Sequence, residues 1–475
     1  MKRNLLVSIL LLSVILLNSC SLLPANKKIL NSDNPITISV WNYYNGTVKV
    51  QFDELVAQFN ETVGAEKGIV IEAQSYGDVT ELADAVYESS NNSIGALPMP
   101  DIFASYADNA FRIRDSAKLV DLSDYFTREE LSEIKKEFLS EGIWGKEQEL
   151  KILPVAKSTE ILFLNKTFWE VFATDTGASL DDLKTWEGLV QTAKLYYEHT
   201  GKAFFSIDAA ANFMLVSAMQ LGEEFYQYDD DTASLNFSQD TAYRIWENYY
   251  VPYLNGYFAK SGRFSSDDAK TGTIVGYTGS TASASYFPKE VACEDVVTPI
   301  EVLTLPYPYY ENSKPYVVQQ GAGMCITKSD KAHEYAASVF LKWFIDMPQN
   351  VDFAISTAYL PVKSQSLTAN ALMKTMKYEE IPNAAVKSSI ETTVNMLTTH
   401  TLYGNKPFRN SFQLRTILEN HLYTRVETDL ALLEERIING EDRIAVINDL
   451  SSREHFLTWY QAFTNELQTV LRSSE

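Results

Sequence analysis

Ile36-Thr37-Ile38-Ser39-Val40-Trp41 carries the pattern from which the architecture follows. Ile36, Ile38 and Val40 alternate with Thr37 and Ser39, the period of a half-buried strand running into Trp41. A polar loop, Asn42-Tyr43-Tyr44-Asn45-Gly46, follows, and then Phe52, Leu55, Val56 and Phe59 recur at helical spacing. Ile69 and Ile71 mark a second strand, Leu82, Ala85 and Val86 a second helix, and Ile102-Phe103-Ala104 a third strand. Strands alternating with helices of this length predict a parallel sheet with helices on both faces.

Outward toward the C-terminus the pattern recurs with interruptions. Strands are predicted at 161–164, 273–277, 302–305 and 317–326, and helices at 189–198, 213–221 and 243–250. Beyond Phe408 the reading is mostly helical, through 414–438 and 455–471. The chain has 475 residues, more than the roughly 250 to 300 at which one hydrophobic core stops growing, so two or more domains are expected.

Outward toward the N-terminus, Lys2 and Arg3 precede a mostly apolar run from Leu5 to Leu17 and then Asn18-Ser19-Cys20. This resembles a bacterial export signal ending in a lipidated cysteine. The run is shorter than the roughly 20 residues a membrane span needs. Residues 1–19 are therefore expected to be a signal peptide, Cys20 the lipidation site, and 20–34 a tether, which places the protein outside the cytoplasm on a bacterial membrane.

The net charge is −22, from 62 acidic against 40 basic residues. A chain so acidic repels phosphate backbones, which argues against nucleic acid as a partner. Cys293 and Cys325 could pair or stand singly in a core, and spacing alone leaves both open. No phosphate-cradling loop is present, since Gly201-Lys202 runs into Ala203, and Gly279-Ser280 lacks the flanks of a nucleophile elbow. His333-Glu334 has no second histidine at position 337, and the five histidines show no ligand spacing. No metal, cofactor or catalytic residue is expected. A carboxylate pair for glycoside hydrolysis forms in space, and this chain has too many acids for any one pair to inform.

The segment Leu153-Pro154-Val155-Ala156-Lys157-Ser158-Thr159-Glu160-Ile161-Leu162-Phe163-Leu164-Asn165-Lys166 resembles a signature of family 1 extracellular solute-binding proteins, the sugar-type receptors of ABC importers. Further pieces agree in order: Pro100-Asp101-Ile102, Gly276 to Ser280, Gly321-Ala322-Gly323, Phe340 to Phe344, and Tyr359-Leu360-Pro361-Val362. Together they cover roughly residues 36–365. The resemblance implies an α/β periplasmic-binding-protein-like fold of two lobes, a hinge between them and a helical C-terminal region. It places hinge crossings near Ser158, Val302 and Asp346, with an N-lobe of 35–157 plus 303–346 and a C-lobe of 158–302 plus 347–475. The implied function is a monomeric, membrane-anchored receptor that captures a mono- or oligosaccharide and delivers it to an ABC permease and its ATPase subunits. Receptors of glycerol phosphate or related polyol phosphates are the alternative within the family, and an extracytoplasmic glycosidase is a more remote one.

Tyr43, Tyr44, Asn45, Tyr76, Tyr106 and Asp108 follow the first three strands, at the carboxyl ends where open α/β sheets bind ligands. Asp108 could equally cap a helix. By resemblance Asp108 accepts sugar hydroxyls, Ser158 is a hinge-proximal contact, Gly279, Ser280 and Gly321 face the ligand, and Tyr359 lines the cleft. Arg409 matches an anion-binding arginine of the glycerol-phosphate branch.

Overall fold

The computed structural model describes residues 29–229, 231–293, 296–374 and 383–473. The expected signal peptide and Cys20 lie outside the described residues. The chain opens with β1 (Ile36–Asn42), α1 (Gly46–Phe59), β2 (Ile69–Ser75), α2 (Val79–Ser90), β3 (Ile102–Ser105) and α3 (Ala107–Arg112). A second sheet gathers β4 (Ser158–Asn165), β5 (Phe205–Ile207), β6 (Gly276–Ser280), β7 (Val302–Leu305) and β8 (Tyr316–Gln320), with α4 (Ala210–Gln220) packed beside them. The chain then returns to the first sheet as β9 (Gly323–Ile326), followed by α5 (Lys331–Phe344) and α6 (Gln349–Thr357). It finishes on the second lobe with α7 (Ala384–Met396), β10 (Thr401–Tyr403), α8 (Ser411–Ile438), α9 (Arg443–Leu450) and α10 (Arg453–Arg472).

In the first sheet, ordered β9-β3-β1-β2, β1 runs parallel to both neighbours, with Ile36 opposite Ile69 and Val40 opposite Ile102. β9 is antiparallel to β3, so the sheet is not wholly parallel as expected. The reason is topological: β9 enters directly from the other lobe and has no crossover helix to set its direction. Phe52 and Phe59 of α1 meet Phe344 and Phe340 of α5 at ring distances of 5.7 and 5.1 Å, which closes the core of this lobe. The second sheet is ordered β10-β8-β4-β6-β5, with β7 also on β4. All eight residues of β4 are buried, the apolar centre Ile161-Leu162-Phe163-Leu164 and the flanking polar Ser158, Thr159, Glu160 and Asn165 alike. β6, β7 and β8 are antiparallel to it.

Residues 317–326, read as one strand, are two. The break is Gly321, at φ +98, a conformation that suits glycine. β8 ends on the second sheet and β9 begins on the first. The chain therefore crosses between lobes at Ser158, at Gly321, and again between Leu367, packed on the first core, and Leu372, in the second. This corrects the crossings placed near Val302 and Asp346. Val302 stays on the second sheet because it pairs with Asn165. Past Asp346, α6 straddles both cores, with Phe353 in the first and Val351 and Ile355 in the second.

The last helices follow their sequence pattern. Leu414, Leu418, Leu422 and Val426 of α8 and Phe456, Trp459, Phe463 and Leu467 of α10 lie at helical spacing and complete the second core. Cys325 is a free, buried thiol on β9.

Candidate functional site

A cavity opens between the lobes. β3 and the start of α3 contribute Tyr106 and Asp108, and Glu141 adds a third group from the first lobe. The second lobe answers with Asn212 of α4, Gln319 and Gln320 at the end of β8, and Ser411 and Arg415 in the first turns of α8. Tyr226, Tyr228 and Phe408 form an aromatic wall, with Phe408 5.0 and 5.7 Å from the two tyrosine rings and Lys406 4.9 Å over the Tyr228 ring. Strand ends and helix starts meet here because both sheets turn their loops toward the same cleft.

Two polar networks organise the walls. Arg415 Nη2 donates to Asn212 Oδ1 at 3.0 Å, and Asn212 Nδ2 donates to Glu160 Oε1 at 2.6 Å and Gln320 Oε1 at 3.1 Å. Glu160 is almost wholly buried behind this amide. Burial pushes its carboxyl up to about 8, helped by the charges of Asp208 and Glu419 and opposed by Asn212 and Arg415, so it is neutral at pH 7. Asp108 is raised by burial too, against the opposing charge of Arg415. In the second network Lys157 Nζ donates to Glu141 at 2.6 Å and to the Gly321 carbonyl at 2.7 Å, and Gln319 Nε2 donates to the same Glu141 carboxylate at 2.9 Å.

Of the residues singled out from sequence, two line this cavity and six more lie on neighbouring loops and the crossing strands. Tyr106 and Asp108 are on its wall. The phenols of Tyr43 and Tyr359 share a hydrogen bond next to Tyr106, and burial raises all three, keeping them neutral. Ser280 Oγ donates to Ser158 Oγ at 3.4 Å and accepts from the Ala282 amide at 3.3 Å, so it is also a helix cap. Gly279 lies over the Tyr277 ring, where a Cβ would stand 3.1 Å from it, and Gly321 marks the second crossing.

Four others do different work. Tyr44 is a core residue between Phe52 and Phe353, at 5.1 and 5.7 Å. Tyr76 packs on Trp41 at 4.9 Å. Asn45 sits on the lobe rim, accepting from Tyr286 Oη of the other lobe at 2.9 Å and donating to the Gly77 carbonyl at 2.6 Å. Arg409 joins the Asp231 carbonyl through its backbone amide at 2.7 Å, and the arginine on the cavity wall is Arg415.

Sequence reasoning missed Glu160, Asn212, Gln319, Gln320 and Arg415. A signal existed for Glu160 and the glutamine pair: polar side chains inside or capping otherwise apolar strands are costly unless partnered, which flags a built network. For Arg415 the signal is its place one residue from the buried ridge of Leu414, Leu418 and Leu422. Among the described residues no three His, Cys, Asp or Glu side chains gather as a metal site, and no helix is long and apolar enough to cross a membrane.

Among solved structures, the cyclic alpha-maltosyl-1,6-maltose binding protein of Arthrobacter globiformis is similar at a TM-score of 0.64 and 18% identity, covering 91% of this chain and 100% of that one. An ABC substrate-binding protein of Listeria monocytogenes in complex with cycloalternan is similar at 0.64 and 12%, covering 90% and 100%. UgpB of Mycobacterium tuberculosis in complex with glycerophosphocholine is similar at 0.62 and 17%, covering 85% and 100%. These likenesses establish the fold, a mixed α/β two-lobe architecture. Comparison with curated protein sequences gave no match. The family model described as bacterial extracellular solute-binding protein matches residues 54–382, over two thirds of the chain, and so this protein belongs to the bacterial extracellular solute-binding proteins.

Proposed function

We propose that this protein captures a carbohydrate in the cavity between its lobes and delivers it to the permease of an ABC importer. The observation that carries this reading is the composition of the cavity wall. Two tyrosines and a phenylalanine offer flat apolar faces, and carboxylate, amide and guanidinium groups from both lobes surround them. Sugars present apolar ring faces and a rim of hydroxyls, which such a wall complements. Because each lobe supplies contacts, ligand binding favours the closed arrangement, and the permease reads that shape. Capture and release need no bond chemistry, so the protein is not an enzyme. The binding of cyclic and linear oligosaccharides by proteins of similar fold supports the ligand class.

In this reading Cys20 carries the lipid that holds the mature chain outside the cytoplasm, and the protein works as a monomer. Mass spectrometry of the membrane fraction checks the anchor: a diacylglyceryl-modified N-terminal Cys20 is expected, and an unprocessed Met1 rules it out. Arg415 and Lys406 of the cavity wall favour one second reading, a polyol phosphate held by these two cations.

Thermal unfolding of the soluble chain from Ser21, with and without added compounds, separates these readings. At one hundred times Kd a ligand adds about 2.7 kcal/mol of stability. A raised melting temperature with neutral oligosaccharides is the expected result. A shift with glycerol phosphate or its diesters alone transfers the assignment to polyol phosphates, and no shift with any sugar ends the carbohydrate reading.

A further inference from the structure

We propose that Gln319 is the selectivity residue of the cavity, an obligate acceptor that demands a ligand hydroxyl at its wall; the assignment rests on the carbohydrate reading. Gln319 is only 4% exposed. Its Nε2 donates to Glu141 at 2.9 Å, and that carboxylate also receives Lys157 Nζ at 2.6 Å. A carboxylate paired with an ammonium group accepts and does not donate, so only the NH₂ end of the amide can face it. The orientation of Gln319 is thereby fixed, and Oε1 is left as the end that receives no hydrogen bond from the protein.

The surroundings hold that arrangement. Lys157 is anchored on its other side by the Gly321 carbonyl at 2.7 Å, which ties the network to the crossing point of the chain. Gly404 presses on the amide from outside: a Cβ there would stand 2.8 Å from Nε2 and 3.2 Å from Cδ of Gln319. The side chain has little room to turn away.

A buried acceptor without a donor is costly to leave unpaired. No protein donor reaches it. Tyr226 Oη, buried on the aromatic wall, likewise has no protein partner. A ligand atom at Gln319 Oε1 must therefore donate. A sugar hydroxyl does so; a ring or glycosidic oxygen, a carboxylate or a phosphate diester cannot. An anionic group would instead seek Arg415 and Lys406 on the same cavity wall. Gln319 thus asks for a hydroxyl of the ligand at one point of the wall.

The test is calorimetric titration of the soluble chain with maltotriose, mannotriose and the monodeoxy derivatives of each. The wild type is expected to bind the parent sugar about 10- to 100-fold more tightly than one particular monodeoxy derivative. Gln319→Leu should lose that factor for the parent and bind the two alike, and Gly404→Ala, which displaces the amide without removing it, should show the same loss of discrimination. A Gln319→Leu variant that keeps the wild-type affinity and the wild-type preference overturns the assignment. If the wild type binds neither trisaccharide, the carbohydrate reading loses its support, and Gln319 is then decided by crystals soaked in glycerol or in sulfate. A glycerol hydroxyl at hydrogen-bond distance from Oε1, roughly 3 Å, upholds the obligate acceptor. A protein donor or a sulfate oxygen on that atom, or no hydroxyl near it, overturns it.

Discussion

Replacing Gly321 by alanine is expected to destabilise the protein by about 3 to 5 kcal/mol, read as a lowered midpoint of urea unfolding. Two costs combine. The residue sits at φ +98, where an L side chain is strained. Its new Cβ would also meet the Ala156 carbonyl oxygen at 2.8 Å, Lys157 Cα at 3.1 Å and the Ser158 amide nitrogen at 3.2 Å. These are backbone atoms of the neighbouring crossing strand, so no rotamer change relieves the clash. Gly201 is the matched control, at φ +73 with nothing within 4 Å of its Cβ position, and Gly201→Ala should cost only about 1 kcal/mol. Equal costs at the two positions would mean that the close approach of the crossing strands contributes nothing.

The second large effect is a dependence on pH carried by Glu160. Its carboxyl stands at about 8 in the folded protein against an ordinary value of 4.5, chiefly because it is buried. Below pH 4.5 the folded and unfolded chains both hold the proton. Between 4.5 and 8 the unfolded chain releases it while the folded chain keeps it, so stability declines as pH rises through that window. The upper bound on the decline is about 5 kcal/mol. Glu160→Gln keeps an oxygen for Asn212 Nδ2 and cannot ionise. Its stability should match the parent near pH 5 and exceed it by several kcal/mol near pH 9, all other groups titrating alike in both. Parallel stability curves for the two proteins across that range would sink this account of Glu160.

The strand at Ile36, the helix from Gly46 and the long terminal helices were legible because a two-residue or helical period survives wherever one face is buried. The loops at strand ends were legible as a class, through the rule that open sheets bind at their carboxyl ends. Which residue of a loop faces the cleft was not. Tyr43 and Tyr44 are adjacent, yet one reaches Tyr359 beside the cavity and the other fills the gap between Phe52 and Phe353. That choice depends on α1 and α6, which are distant in sequence. The break at Gly321 was hidden for a similar reason. An apolar run reads as one strand, and only the position of β3 against β4 forces it to serve two sheets. Arg415 and Asn212 reach the cavity from helices whose docking no local pattern specifies.

The three crossings also set the order in which this chain can be assembled. The first lobe lacks its edge strand until Gly323–Ile326 is made, and then still needs Phe340 and Phe344 to shut its core. The second lobe waits for Trp459 and Phe463 of the final helix. A nascent chain emerging from its N-terminus therefore holds no finished unit for most of its synthesis, and long-range closure has to come last. A polypeptide that cannot complete either half early stays threadable through a narrow channel, and a fragment cut before Gly323 should have no stable fold of its own.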